Sequence, residues 1–368
     1  MAQTPAARAT STGSTTQPSG IGSVWGWVTL RDPSATIQPL APADQGNSLA
    51  ETNDVTYDGN GFYAVRFPGI GTTGGVANVT VLGTDPRVCD VSEWYPQSLV
   101  AGGSEDEYVT VLCWDDSGAP ATAAFTVSYL FSNAPIGRLA DLWAGDYTQT
   151  DYTPDTEWNF NSTGTPNTIH KNGVGDYRVT LPGLASSRGN VQVGNYGRFT
   201  PAPITALAPS GVAVTQKPSE CNVASWAPHG ADMRVHVLCR RLNGHLYDSQ
   251  FELTFTQSEG LEGPSGTNVA YLLANRPTTA SYKPASAFRY ASPTGKPKVT
   301  RSSTGTYLVT LPSMPSGGAA IVTAYGSAKV RCNVTSIRSS GSPQKVGVRC
   351  VDFHWQAVDS EFTLSYVH

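Results

Sequence analysis

The chain has few charged residues. Asp, Glu, Lys and Arg together make up 14% of its 368 residues, and the formal net charge is −4. With 24 Lys and Arg against 28 Asp and Glu, it lacks the basic excess typical of proteins that hold nucleic acid or an anionic membrane surface. No apolar run approaches the length of a membrane span. We therefore expect no nucleic-acid partner and no membrane insertion.

The sequence also lacks the common catalytic and metal-binding motifs. It has no Gly-x-Ser-x-Gly, no His-Glu-x-x-His, no P-loop and no Cys-x-x-Cys. A catalytic triad assembled in space stays open, because triads are not sequential. The acidic stretches 104–107 and 115–118 match no calcium loop, so we interpret them as solvated turns, with a calcium site as the alternative. We expect a protein that is not an enzyme and that has no cofactor and no metal.

Helical periodicity is absent, and period-two alternation takes its place. Every second residue is apolar in three short stretches, which predicts half-buried strands: Val109–Cys113, Val235–Cys239 and Val346–Cys350. An earlier cysteine opens a second such strand before each of them. A phenylalanine follows each stretch at one constant spacing: Phe125, Phe251 and Phe362. The pattern occurs three times and predicts an internal repeat.

The six cysteines divide evenly among the three copies. Two antiparallel strands joined by a loop bring the first cysteine of one strand opposite the last cysteine of the other, which predicts a cross-strand disulfide. The predicted pairs are Cys89–Cys113, Cys221–Cys239 and Cys332–Cys350. Disulfides form in oxidising compartments, so we expect a secreted, extracellular protein. The first residues show no signal peptide, and we expect that the chain begins after a cleavage site.

The remaining strands align outward from these hairpins. A Tyr-x-Val strand that ends at a proline precedes each one: Tyr63–Pro68, Tyr177–Pro182 and Tyr307–Pro312. The strand after it is aligned as Asn78–Val81, Asn190–Val193 and Ala320–Thr323. Six or seven strands per copy predict an all-β fold of three tandem homologous antiparallel β-sandwich or barrel repeats, with one intra-repeat disulfide each.

The predicted bounds divide the chain into four parts. They are a flexible Thr/Ser/Pro-rich tail at 1–22 and repeats at 23–131, 139–257 and 268–368. Short seams favour contact between neighbouring repeats. Beads on a string and closure around a pseudo-threefold axis both stay open.

The repeat resembles the tandem, disulfide-containing β-units of uncharacterised secreted actinobacterial proteins. The resemblance rests on the Tyr-x-Val-x-Leu-Pro, Cys-x-Val and Val-x-Val-x-Cys strands and on an Asp-Ser-x-Phe-x-Leu ending at Asp248–Leu253 and Asp359–Leu364. It covers most of the chain and is complete in the last two copies, whereas the first has Ala123 and Ala124 in place of Asp-Ser. The resemblance implies fold and compartment, and it implies no activity.

Two tryptophans have a structural interpretation. Trp94 and Trp226 stand five residues after the first cysteine of their copies, where the third copy has Ile337. An apolar residue at this place in all three copies predicts packing over the hairpin.

Trp355 occupies a different kind of position. It stands in a hairpin turn where the other copies have Gly118 and Gly244, beside Phe353 and His354. An aromatic ring on a loop with polar neighbours suits stacking on a sugar face or anchoring a protein partner. We therefore predict that Phe353, His354 and Trp355 bind ligand, with contact to a neighbouring repeat as the alternative.

These features predict a secreted, non-enzymatic binding or adhesion protein that recognises a glycan or a cell-surface protein through loop aromatics. The alternative is a structural or assembly component of an extracellular complex, which would include self-association. A third interpretation is a secreted hydrolase or inhibitor with an unrecognised site.

Overall fold

The computed structural model describes residues 23–34, 37–99, 103–197, 218–264, 266–338 and 341–368. These residues form 27 β-strands and three short 3-10 helices, and no α-helix occurs among them. The all-β prediction is confirmed. No helix within these ranges is long and apolar enough to cross a bilayer. The predicted tail at 1–22 lies outside the described residues.

Nine strands and one 3-10 helix follow one another in the same order in each of three segments. The first segment contains β1 (Ser23–Leu30), β2 (Ile37–Pro39), a 3-10 helix (Pro42–Asp44), β3 (Gln45–Asn47), β4 (Asp54–Tyr57), β5 (Phe62–Phe67), β6 (Val76–Val81), β7 (Arg87–Gln97), β8 (Asp106–Asp115) and β9 (Phe125–Ser132). The second contains β10 (Arg138–Ala144), β11 (Asp151–Tyr152), a 3-10 helix (Thr156–Trp158), β12 (Asn159–Asn161), β13 (Thr168–Gly173), β14 (Asp176–Leu181), β15 (Asn190–Tyr196), β16 (Ser219–His229), β17 (Asp232–Arg241) and β18 (Gln250–Gln257). The third contains β19 (Val269–Ala274), β20 (Ser281–Tyr282), a 3-10 helix (Ser286–Phe288), β21 (Arg289–Ser292), β22 (Lys298–Ser303), β23 (Thr306–Leu311), β24 (Ala319–Tyr325), β25 (Val330–Arg338), β26 (Gln344–Asp352) and β27 (Glu361–Val367).

Each segment is a sandwich of a four-stranded and a five-stranded antiparallel arrangement. The four-stranded orders are β3-β1-β9-β6, β12-β10-β18-β15 and β21-β19-β27-β24. The five-stranded orders are β7-β8-β5-β4-β2, β16-β17-β14-β13-β11 and β25-β26-β23-β22-β20. Side chains from both layers form one buried cluster in each segment, as expected for two packed sheets.

Alternating side chains build these cores. In β5, the side chains of Tyr63, Val65 and Phe67 are fully buried, and the residues between them are partly exposed. The equivalent strands β14 and β23 have the same alternation. One face of each strand therefore enters the core while the other remains half-exposed.

Three disulfides close the hairpins. The bonds are Cys89–Cys113, Cys221–Cys239 and Cys332–Cys350, with Cα atoms 4.1, 3.9 and 4.0 Å apart. In each hairpin the two cysteines are directly opposed, and a register shift follows two residues later. The six cysteines are buried, so each bond ties a strand pair together inside a core.

The three segments close into a ring through three short parallel joints. At the first joint, Gly197 N donates to Val91 O at 2.9 Å. At the second, Gly326 N donates to Val223 O at 2.9 Å, and at the third, Gly83 N donates to Val334 O at 2.8 Å. The first joint links segment two to segment one, the second links three to two, and the third links one to three. Closure around a pseudo-threefold axis is therefore the observed arrangement.

Apolar residues cover each joint. The ring of Trp94 meets that of Tyr196 edge-on at 5.8 Å, and Trp226 meets Tyr325 in the same way at 5.0 Å. Ile337 is buried in the cluster against which Leu82 of the first segment packs. Trp94, Trp226 and Ile337 therefore pack over their hairpins, as predicted, and they also seal the contact with the next segment.

Candidate functional site

The candidate site lies at the turns that follow β8, β17 and β26. In the third turn, Asp352 N donates to Gln356 O at 2.9 Å, and Trp355 N donates to Asp352 O at 3.0 Å. The Asp352 carboxylate accepts bonds from His354 N at 2.8 Å and Gln356 N at 2.9 Å. An aspartate side chain that bonds to nearby backbone amides is a common way to fix a tight turn. Asp115 caps the first turn with the same pattern of bonds.

Trp355 has the backbone conformation of a glycine. Its φ is 63°, against 81° for Gly118 and 76° for Gly244 at the same place in the other two turns. Positive φ is rare for a residue with a bulky side chain, because Cβ crowds the neighbouring carbonyl. The turn therefore holds a strained tryptophan where glycine would be relaxed.

The structure places the three predicted site residues in different environments. Phe353 is buried, with 8% exposure, and it contacts Gly244 in the turn of the second segment. His354 is exposed and Trp355 is half-buried. His354 and Trp355 are thus at the surface, whereas Phe353 makes the contact with a neighbouring segment that was the alternative interpretation.

An arginine that the sequence reasoning missed supports both rings. The guanidinium carbon of Arg331 lies 4.3 Å from the centre of the Phe353 ring and 4.4 Å from that of Trp355. Its Nε is 2.8 Å from Glu220 Oε2 of the second segment. Arg331 is 3% exposed, and such stacking of a cation on aromatic faces is favourable when water is excluded. One feature of the sequence marks Arg331. It directly precedes Cys332, as Glu220 directly precedes Cys221 in the second copy.

A small cavity lies between the three hairpins, close to the axis of the ring. Its volume is about 50 Å³, and the first cysteine of each disulfide lines it. Its polar lining comes from all three segments: Thr80, Asn195, Glu220, Asn222, Thr323, Arg331 and Asn333. A space of this size suits one or two water molecules rather than a sugar. The cavity therefore belongs to the interior of the ring and is no ligand site.

Two carboxyl groups are fully buried at the first joint. Burial raises the pKa of Asp90 and of Glu252 well above the ordinary range, and repulsion from a neighbouring carboxyl raises each further. No cation in the described part of the chain contributes to either pKa. Glu252 occupies space left free by Gly194, where a Cβ would collide with its carboxylate. Burial without a cation therefore favours the protonated form of both groups.

Clusters of metal-ligating side chains were sought in the described residues. Within the described ranges, no three His, Cys, Asp or Glu side chains come together in a way that could hold a metal ion. His170 Nδ1 is 2.6 Å from Asp151 Oδ1, and His236 Nε2 is 2.8 Å from Asp176 Oδ1. Both pairs join adjacent strands at the surface and are accounted for as cross-strand contacts.

Comparison of the chain with protein-family models, with curated proteins and with solved structures finds no match. The argument for function therefore depends on the chain's own geometry.

Proposed function

We propose that this protein is a secreted, non-enzymatic binding or adhesion protein that contacts a glycan or cell-surface ligand through the third turn. The observation that carries the proposal is the φ of 63° at Trp355. Residues held in sparsely populated backbone conformations cluster at functional sites, because only a use for the side chain offsets the strain. A turn that folds with glycine in two segments has no structural need for tryptophan.

The surroundings of the ring favour recognition. Arg331 covers part of Trp355, and His354 and Gln356 beside it are exposed. A tryptophan that is held on one side and open on another presents a rigid apolar surface next to polar groups. This combination suits stacking against a sugar ring with hydrogen bonds at its edge.

The proposal includes a compartment and an origin for the fold. Three disulfides indicate an oxidising environment, and secretion is the proposed reason for it. The three segments have the same order of strands, and each has one cross-strand disulfide. We infer that they are three copies of one unit, related to the secreted actinobacterial repeats that the sequence resembles.

Replacement of Trp355 by glycine tests the site. Trp355→Gly removes the ring and restores the residue that the other two turns contain, so the fold should be preserved. On a glycan array and on intact cells, the native protein should bind saturably, and Trp355→Gly should bind at least about tenfold more weakly, as for loss of an aromatic anchor.

The control is Ile136→Ala, which removes an apolar side chain that is 72% exposed and outside the turns. This variant should bind like the native protein. Equal binding by the native protein and Trp355→Gly would refute the site. Absence of any glycan or cell binding, together with growth in particle size at rising concentration, would favour the assembly alternative.

A further inference from the structure

An open groove lies at the seam between the second and third segments. Its volume is about 590 Å³, and it lies beside the second turn. Its lining comes from the β13–β14 hairpin, the end of β17, the second turn and the residue before β25: Gly173, Val174, Asp176, Arg240, Gly244, His245, Leu246 and Lys329. This groove is separate from the cavity near the axis.

The groove contains a buried arginine without a carboxylate partner. Arg240 is 7% exposed, and its Nη1 and Nη2 donate to Gly244 O and Ser327 O, both at 3.2 Å. Its Nε is buried and has no hydrogen-bond partner within the described residues. Burial lowers the pKa of Arg240, and no acid opposes that effect. Arg331 also has buried nitrogens without a hydrogen-bond partner among the described residues, but its Nε lies 2.8 Å from the Glu220 carboxylate.

A second cation lines the groove. Lys329 is exposed across the seam from Arg240 and forms no ion pair with any described residue. The one acid in the lining is Asp176, whose Oδ1 accepts a bond from Asn172 at 2.7 Å and lies 2.8 Å from His236 Nε2. Two cations therefore face one carboxylate, and the net charge of the lining is positive.

We propose that this groove binds the carboxylate or sulfate group of an acidic glycan, with Arg240 and Lys329 as the anion-binding residues. The exposed ammonium of Lys329 would donate a charge-assisted bond to the oxyanion. The charge of Arg240, which no described carboxylate pairs, would attract the same group. The exposed side chains of Val174 and Leu246, which are 57% and 40% exposed, would contact the apolar face of the same sugar. The inference rests on the proposed function and names the class of its ligand.

The geometry favours a sparsely charged polymer over a dense polyanion. Only two permanent cations line the groove, and Asp176 lies at its rim. The net charge of the whole chain is −4, which repels a polymer with several charges on each sugar. A glycan with one acidic group per sugar meets the cations without such repulsion.

Isothermal titration calorimetry tests the proposal with three polymers: polygalacturonate, dextran sulfate and neutral dextran. The two acidic polymers separate carboxylate from sulfate as the recognised group. We expect binding to at least one of them, none to dextran, and a weaker interaction in high salt. Equal binding to dextran, or binding to neither acidic polymer, would overturn the proposal.

Variants then locate the site. Lys329→Gln and Arg240→Gln should each weaken binding about tenfold, since each removes one positive charge from the groove lining. Lys329 is exposed, so its replacement leaves folding intact, and the melting temperature of both variants is recorded. Arg241→Gln is the matched control, because the guanidinium of Arg241 lies over the Tyr247 ring at 4.0 Å, outside the groove lining. Unchanged affinity in Lys329→Gln would refute the groove.

The experiments can refute the third turn and the groove independently of each other. Loss of binding in Trp355→Gly with full binding in Lys329→Gln would support the third turn and refute the groove. Loss in Lys329→Gln with full binding in Trp355→Gly would support the groove and refute Trp355 as the anchor.

A final titration uses calf thymus DNA, which is a polyanion without sugar acids. If DNA binds as tightly as the acidic glycans, charge attraction alone explains the binding and the proposal is overturned.

Discussion

The first and second joints use the same backbone bond but differ in whether a cation lies beside the buried acid. At the second joint, the carboxylate of Glu220 and the guanidinium of Arg331 form a pair at 2.8 Å. At the first, Asp90 and Glu252 are buried without a cation in the described residues, and their pKa values are raised. A buried charge needs either a partner or a proton. Burial also raises the pKa of Glu220, and the charge of Arg331 opposes that rise. One ring therefore contains one joint in which a cation lies beside the buried acid and one in which no described cation does.

Removal of one partner of the pair should have the largest effect. Arg331→Met leaves the Glu220 carboxylate buried and alone, and it also removes the cation that lies on Phe353 and Trp355. We expect a loss of about 3–5 kcal/mol in the free energy of unfolding at pH 8, measured by urea denaturation.

Two further variants interpret that loss. Arg66→Met is the control, since Arg66 pairs with Asp54 at 3.2 Å with 31% of its side chain exposed, and should lose under about 1 kcal/mol. The double variant Glu220→Gln/Arg331→Met should recover part of the stability, because no lone charge remains. A loss below about 1 kcal/mol in Arg331→Met would mean that the pair is not what stabilises the second joint.

A change of pH should have the next largest effect. An acid whose pKa is raised by folding binds more protons in the folded state, so stability falls as pH rises above the unfolded value of about 4. The pKa values of Asp90 and Glu252 are raised in this way, and burial raises the pKa of Asp141 to about 8. We expect the protein to be roughly 2–5 kcal/mol less stable at pH 8.5 than at pH 5, by urea denaturation at each pH.

Amide replacements identify which acids cause that pH dependence. Asp90→Asn, Glu252→Gln and Asp141→Asn should each reduce the slope, because an amide stays neutral at every pH. Asp116→Asn, at an exposed site in the first turn, should leave the slope unchanged. A native protein that becomes more stable between pH 5 and pH 8.5 would contradict neutral acids at the first joint.

The smallest effect concerns the tryptophan beside the second joint. Trp355→Gly should change the free energy of unfolding by under about 1 kcal/mol, because the relief of strain offsets the lost contact with Arg331. Trp355→Ala keeps a Cβ at φ 63° and should be less stable than the glycine variant by about 1 kcal/mol. Thermal unfolding of the two variants measures the difference, and a large loss in Trp355→Gly would show that the ring is part of the core.

The hairpins could be predicted from sequence because their signals are local. Alternating valines define each strand, and one cysteine near each strand end sets the partner. The strand β6 and its equivalents lacked such a signal, because the side chains of β6 are buried on both faces. The predicted alignment began these strands at Asn78, Asn190 and Ala320. It was wrong, since Val81, Asn195 and Ala324 lie opposite the three matching phenylalanines.

The ring and the environment of the candidate site were not predictable for a related reason. Each joint depends on a single pair of residues in different segments, such as Tyr196 and Val91, and one residue pair leaves no pattern along the chain. The turn position of Trp355 was correct because Gly118 and Gly244 mark it. The burial of Phe353 and its contact with Arg331 depend on the neighbouring segment, which no local pattern encodes.

The third joint also sets an order of events in the life of the chain. It bonds Gly83 of the first segment to Val334 of the last, whereas the other two joints link segments that are consecutive along the chain. During synthesis the first two segments can fold and meet while the last is still absent. Leu82 and the strand edge beside it cannot meet their partner until almost the whole chain has been synthesised. The ring therefore cannot close before the last segment is present.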